Sequence, residues 1–449
     1  MNRNHSATWA CGVLAIAAAF MLMLPGSAHA QAKFDIPGIT GPNFTFTAGA
    51  GELSTPDGGS IHFWGYHAPG ANPSNVPQHP GPTMIVNQGE TVTVTLTSNL
   101  PFGKCTSIVF PGHAVTASGG SAGLLTQEAC PGGAAVAYTF TATNPGTYTY
   151  HSGTEMELQV EMGLVGAIIV RPAGYDQLSN RIAYPGRNYD HEYLFLLSQI
   201  DPVIHQYAEQ GRFTEIDMTA YWPVYWMING RAAPDTPAGN FVSWLPHQPY
   251  NSLPLTEPGQ KVLMRLIGAD QGQHPFHFHG NNSDIIARDG RQLTHSRSIF
   301  TTLSVPGETV DHIFTWTGAN MGWDIYGTPA DGMPNHTCID LVNNETGAAG
   351  PDGFADANSD HPWEFCGDHG KKFPVVLPQN QNLTFGGWWS GSPFMGNFGS
   401  LPPGEGGLNP FGGYFFMWHS HSEKELTNFD IFPGGMLTML GIAPPGTLK

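Results

Sequence analysis

Charge is scarce in this chain, and positive charge is scarcer still. Only 12% of its 449 residues are charged, and 17 basic side chains stand against 35 acidic ones, a formal charge of −18. Nucleic-acid surfaces need concentrated Lys and Arg, so this balance argues against that class of partner. Solubility is the simpler reading of the acidity. Long apolar runs are missing after Leu24, so no membrane span is expected in the mature chain. Cysteine is also sparse, with five in all. What is abundant is Gly (57), Pro (38) and aromatic residues (11%). That composition suits an all-β protein with many turns and argues against helical bundles and coiled coils. The length suffices for two or three domains, each with a sizeable core.

Arg3, an apolar stretch from Cys11 to Leu24 and the small residues Ala28-His29-Ala30 have the order of a secretory signal over residues 1–30. Its apolar core is short for a retained anchor, so a secreted or periplasmic location is expected. Cys11 would leave with the leader, and Cys105, Cys130, Cys338 and Cys366 remain. An even number at short separations suggests local disulfides Cys105–Cys130 and Cys338–Cys366, one of three pairings the sequence permits. Cysteines paired in this way leave no thiolate for a metal.

The strand signals come in two similar sets. In the first, Pro82-Thr83-Met84-Ile85-Val86-Asn87-Gln88-Gly89-Glu90 leads into the alternating Thr91-Val92-Thr93-Val94-Thr95-Leu96. Tyr138-Thr139-Phe140 and Gly146-Thr147-Tyr148-Thr149-Tyr150 follow across an Asn144-Pro145-Gly146 turn, and Leu164 to Val170 closes the unit. In the second, Lys261 to Ile267 is a strand, and Val305-Pro306-Gly307-Glu308 turns into His312 to Trp316. Gly413 to Ser420 then echoes Gly146 to Ser152. Two Greek-key β-sandwich domains are expected, at 31–172 and 190–449, joined by a linker at 173–189. A loop-rich insertion of about 318–411 decorates the second, and loops of that length tend to be functional.

The histidines are grouped. His274-Pro275-Phe276-His277-Phe278-His279-Gly280 is the densest set, and Trp418-His419-Ser420-His421 is the second. Strand residues two apart share a face at roughly 6.5–7 Å, so His277 and His279 point together, as do His419 and His421, with His274 on the other face. One such pair has a core-packing explanation. Two pairs between aromatics point to metal, because burying several imidazoles without partners carries a desolvation cost that coordination removes. Imidazole suits copper, zinc, iron and nickel.

These motifs resemble those of the multicopper oxidases and, in the first half, of the two-domain copper nitrite reductases, both built from cupredoxin-like domains. His113-Ala114-Val115-Thr116, with Gly119-Gly120 and Leu125-Thr126-Gln127, resembles the segment that carries a type 2 copper histidine in the nitrite reductases. Tyr150-His151-Ser152 resembles the second ligand segment of the same domain. His274 to Gly280 is similar to the oxidase His-Pro-x-His-x-His-Gly motif, and Trp418-His419-Ser420-His421 to the oxidase His-Cys-His motif, with Pro433-Gly434-Gly435-Met436 beyond it. The resemblance implies copper held by His113, His151, His277, His279, His419 and His421 at a boundary between the first and last domains. In two-domain relatives that boundary lies between the subunits of a trimer, which makes a homotrimer the expected assembly.

The departures from the pattern matter as much. A blue, type 1 copper needs a Cys thiolate with two histidines. Ser420 and Ser152 stand at the cysteine positions, Glu425 and Gln159 near the downstream histidine, and Ile108 at the first-domain histidine. No type 1 copper is therefore expected, and His274 becomes a hydrogen-bonded core histidine. Pro111 stands where nitrite reductases carry a catalytic aspartate. His295, His312, His336, His361 and His369 share no spacing and read as surface or structural. Asp352, Asp356, Asn358, Asp360 and Glu364 read as a solvated acidic loop rather than a calcium site. Glu155, Glu157, Glu423 and Glu425 flank ligand segments as candidate proton donors or exposed acids.

Two function classes follow. One is an exported copper oxidoreductase that reduces a small oxidant with electrons from a small donor or a docked redox protein. The other is a non-catalytic copper-binding or scaffold protein on the same frame.

Overall fold

The computed structural model describes residues 36–317 except 281, 324–329, 334–370 except 345 and 368, 393–394, 414–443 and 448. The expected leader and Trp388-Trp389 of the insertion lie outside these residues.

The first sandwich is built from strands whose alternation is strict. Thr91–Ser98 buries Val92, Val94 and Leu96 and leaves its threonines partly or fully exposed. It sits in a five-stranded sheet ordered Ser60–His67, Asn43–Ser54, Thr91–Ser98, Val136–Thr141, Thr116–Gly119. The facing sheet is ordered Ile39–Thr40, Met84–Asn87, Val165–Arg171, Gly146–His151. Between them lies one aromatic-rich core containing Phe46, Trp64, Tyr66, Tyr138, Tyr148 and Tyr150.

The second sandwich repeats the plan. One sheet runs Tyr225–Ile228, His191–Ile200, Lys261–Gly268, Thr309–Thr315, Ser283–Arg288, Arg291–Ile299. The other runs Leu255–Thr256, Leu437–Ile442, Tyr414–Ser420, His274–Phe278, Thr301–Ser304, with Pro393–Phe394 beside Tyr414–Ser420. The repeat extends to register. Gly146–His151 pairs antiparallel with Val165–Arg171, which lies parallel to Met84–Asn87; Tyr414–Ser420 pairs antiparallel with Leu437–Ile442, which lies parallel to Leu255–Thr256.

The stretch 173–189 holds a short hairpin, Ile182–Tyr184 with Arg187–Asn188, and its Tyr184 is buried with Leu263 and Ile286. Gly146 is required by close approach, since a Cβ there would lie 2.6 Å from the Cα of Gly290 in the second sandwich. The two sandwiches also share Val165, Ala167, Ile169, Leu194, Leu196 and Ile267 in one apolar layer. Beside it Glu192 receives Arg171 from the first sandwich and Arg265 from the second, all three buried. Burial opposes the Glu192 charge, but the two guanidiniums outweigh it and hold the carboxyl down at about 2.

Both expected disulfides are formed, Cys105–Cys130 and Cys338–Cys366. Among the described residues no helix is long and apolar enough to cross a membrane.

Candidate metal centre

His277 stands opposite His419 in the antiparallel pairing of His274–Phe278 with Tyr414–Ser420. The period of two sends Phe276, Phe278, Phe416 and Trp418 into the core of the second sandwich. The alternate side chains therefore project from the outer face of that sheet, and His279 and His421 continue the same two rows. Four rings meet there. Their centroids are 4.7 Å apart for His277 and His279, 5.0 Å for His277 and His421, 4.9 Å for His279 and His419, and 5.6 Å for His419 and His421.

Hydrogen bonds orient these rings. His419 Nδ1 lies 2.5 Å from the carbonyl of Ser420, so it carries the proton and leaves Nε2 with a free lone pair. His277 Nδ1 bonds the Thr301 hydroxyl at 2.7 Å. His279 Nε2 lies 3.0 Å from His419 Nε2, and its Nδ1 is buried without a hydrogen-bond partner. Two lone pairs at that separation repel unless a proton or a cation is shared. Burial, and then the neighbouring imidazoles, push His277 down to about 4 and His279 to about 3, while burial also lowers His419. Neutral imidazoles with oriented Nε2 atoms are the form that binds a metal. The residues fit a copper ion on this ground. His421 is half exposed and keeps the cluster open to solvent.

His113 and His151 both lie in the first sandwich. His151 ends the strand Gly146–His151, and its Nδ1 lies 2.9 Å from the carbonyl of Ser152, the arrangement of His419 and Ser420 repeated in the other domain. His113 stacks on Phe140 at 4.6 Å and packs at a tilt against Tyr148 at 4.5 Å, with Nε2 buried and unpartnered. Burial lowers both, His113 to about 4. Among the described residues their ring contacts and hydrogen bonds stay within the first domain. Thr147, in the same strand, meets Asp311 at 2.6 Å on the sheet that the second sandwich turns toward the first. The four-histidine face belongs to the opposite sheet of that sandwich. Within one chain the structure thus gathers four of the six expected ligands and holds the other two apart.

Comparison with known proteins bears on the two domains. Residues 76–174 and 223–312 each match a multicopper oxidase family domain. The chain is thus similar to the multicopper oxidases in one segment of each sandwich. Its two sandwiches are cupredoxin-type domains, and each contains one of these matches. A dihydrogeodin oxidase of Aspergillus terreus is 26% identical over 216 residues, 47% of this chain and 33% of that protein. An L-ascorbate oxidase of Cucurbita pepo var. melopepo is 36% identical over 100 residues, 21% of this chain and 17% of that protein. The chain thus spans a third or less of these curated relatives. Among solved structures, a blue copper oxidase from Nitrosomonas europaea is similar at TM-score 0.50 and 18% identity, over 89% of this chain and 85% of that one. The multicopper oxidase mgLAC is similar at TM-score 0.52 and 17% identity, over 90% and 86%.

His274 and Ser152, read in the sequence at or beside blue-copper positions, each sit in a hydrogen-bonded polar set. His274 is fully buried on the core side of its strand. Its Nδ1 lies 2.9 Å from Glu425 and its Nε2 3.0 Å from Asp270. Burial works against the imidazolium, but Asp270 and Glu425 outweigh it and raise His274 to about 10. Both ring nitrogens are therefore protonated donors. In the first domain Ser152 Oγ donates to Gln159 at 2.7 Å, and Gln159 donates to the Cys105 carbonyl at 2.9 Å.

Other expectations need correction. Glu425 is neither exposed nor a free proton donor, because it is buried against His274. Glu155 forms an exposed ion pair with Lys104. Of the two readings offered for His336 and His369, surface or structural, the contacts fit the second, since each meets Asp324 and Glu364. No shared spacing joins these four, although Glu364 and His369 are only five positions apart. Asp352 and Asp356 accept backbone N–H bonds from Asn344, Phe354, Leu341 and Val342 and so shape turns.

Proposed function

We propose that this protein is an exported copper oxidoreductase whose working site is the histidine cluster His277, His279, His419 and His421, completed by His113 and His151 of a second copy, with no type 1 copper. The observation that carries the reading is the His279–His419 contact at 3.0 Å, with His277 beside it and all three imidazoles held below their usual pKa. Bound copper would supply a one-electron redox centre able to take electrons from a donor and pass them to a small oxidant such as oxygen or nitrite. The residues keep His277, His279 and His419 below the usual imidazole pKa, orient His151, His419 and His277 through Ser152, Ser420 and Thr301, and leave the cluster open to an oxidant on the side of His421.

The layering supports completion between copies. The first-domain histidines and the four-histidine face lie on different sheets, with the core of the second sandwich between, and sheets pack about 10 Å apart. Apolar side chains rim both parts. Leu124 is 92% exposed, Leu125 lies against Gly153 near His151, and Phe300, half exposed, lies 5.8 Å from the His277 ring. A head-to-tail ring of three copies would cover them and join the ligand sets.

Loss of the blue centre is read from the Asp270–His274–Glu425 set, which leaves no lone pair on His274 and no thiolate at Ser420. Electrons would then come from a small donor or a docked redox protein, and laccase-type oxidation of bulky donors is expected to be weak. The same loss of electron entry favours the second reading, a copper-binding protein without turnover. Oxygen and nitrite consumption by the copper-loaded protein with a small reductant separates the two. Turnover abolished in His279→Ala supports the enzyme; bound copper without turnover on either oxidant supports the binding protein.

A further inference from the structure

A separate set of ligand-type side chains lies in the segment that follows the strand Thr309–Thr315. Asp324, His336, Glu364 and His369 each place one ligand atom within 4.8 Å of the others. His336 Nε2 lies 3.1 Å from Glu364 Oε1 and 3.3 Å from Asp324 Oδ2. His369 Nδ1 lies 2.6 Å from the same Glu364 oxygen and 3.3 Å from the same Asp324 oxygen. Two imidazole nitrogens and two carboxylate oxygens thus alternate around one point.

The setting demands positive charge. The Asp324 and Glu364 side chains are 0% and 1% exposed, and among the described residues neither pairs with a lysine or an arginine. Glu364 Oε2 is buried with no hydrogen-bond partner. Two sealed carboxylates side by side are costly without a cation. A divalent ion bound by two carboxylates and two neutral imidazoles gives a neutral cluster. The mixed nitrogen and oxygen set excludes the all-oxygen preference of calcium and magnesium and suits zinc or copper(II).

We infer that these four residues form a closed structural site for a divalent transition-metal ion, independent of the copper cluster proposed above. It would clamp three segments of the insertion. The disulfide Cys338–Cys366 joins the same two segments two residues beyond His336 and Glu364. Tyr326, two residues from Asp324, donates to the Pro362 carbonyl at 2.8 Å and the Pro258 carbonyl at 3.2 Å, tying the clamp to the second sandwich. Four protein ligands without an open position are the pattern of a structural metal.

The test uses the full chain, stripped with a chelator, reloaded with zinc chloride and desalted, with metal counted by mass spectrometry. The His277→Ala/His279→Ala chain, which lacks the copper cluster, should retain one zinc per chain. Adding Glu364→Gln and His369→Ala should reduce this to none, with circular dichroism unchanged. Should the quadruple variant not fold, limited proteolysis of the His277→Ala/His279→Ala chain gives the answer. Zinc should slow cleavage within 324–370 at least tenfold relative to the stripped protein. A cluster-free chain that retains no zinc overturns the proposal, as does retention after Glu364→Gln/His369→Ala or zinc-independent cleavage. None of these outcomes depends on activity at the copper cluster.

Discussion

Individual side chains decide what this site can bind. Thr301 fixes His277 through Nδ1, and partners of that kind contribute about 10–100-fold to metal affinity. Thr301→Val should therefore weaken copper binding by about that factor, measured by competition with a copper chelator, while the thermal midpoint of the metal-free protein stays close to wild type. His274 has the opposite character, since it is held as a cation. Removing it leaves Asp270 and Glu425 buried and unpaired, and breaking a buried pair costs about 3–5 kcal/mol. His274→Ala should lose that much stability in urea unfolding. The pH dependence has a definite sign. A group whose pKa rises from about 6.5 unfolded to about 10 folded contributes fully below about pH 6.5 and loses that contribution as pH climbs toward 10. Wild-type stability should fall over that window, with a shallower fall in His274→Ala.

At the scale of elements, period-two patterning explains both the fold and the cluster. Val92, Val94 and Leu96 alternate with threonines, and Phe276, Phe278 and Trp418 alternate with histidines, so the inner and outer faces were legible before any contact was known. The echo of Gly146 to Ser152 in Gly413 to Ser420 likewise reappears as matching strand pairing and as the same histidine-to-serine hydrogen bond. Contacts between distant segments were not legible. Glu425 lies 151 residues from the His274 it pairs with, and the Asp324 to His369 set comes from an insertion without periodicity. The same holds for the contact between sandwiches, where Arg171, Glu192 and Arg265 converge from three strands. Glu192→Ala should leave two buried guanidiniums short of a carboxylate and cost about 3–5 kcal/mol, read as a lower urea midpoint.

Among the described residues the two sandwiches contribute four main sheets, and the histidines of the first domain and the four of the second lie on different layers. The account therefore expects association. Sedimentation of the mature protein should show a trimer, and Leu124→Asp/Phe300→Asp should shift it toward monomer and release copper. A wild-type monomer that binds copper with full affinity would contradict completion between copies. The Asp270–His274–Glu425 set, the serines at 152 and 420 and the paired cysteines together make the central claim spectroscopic: copper on histidines alone. The measurement that addresses it most directly is the copper content of the copper-loaded mature protein, with visible and electron paramagnetic resonance spectra of the same sample and of His277→Ala/His279→Ala. Wild type should carry at least one copper more per chain than the variant, with a type 2 signal and no intense band near roughly 600 nm. A strong blue band, or equal copper in the two proteins, would contradict the account.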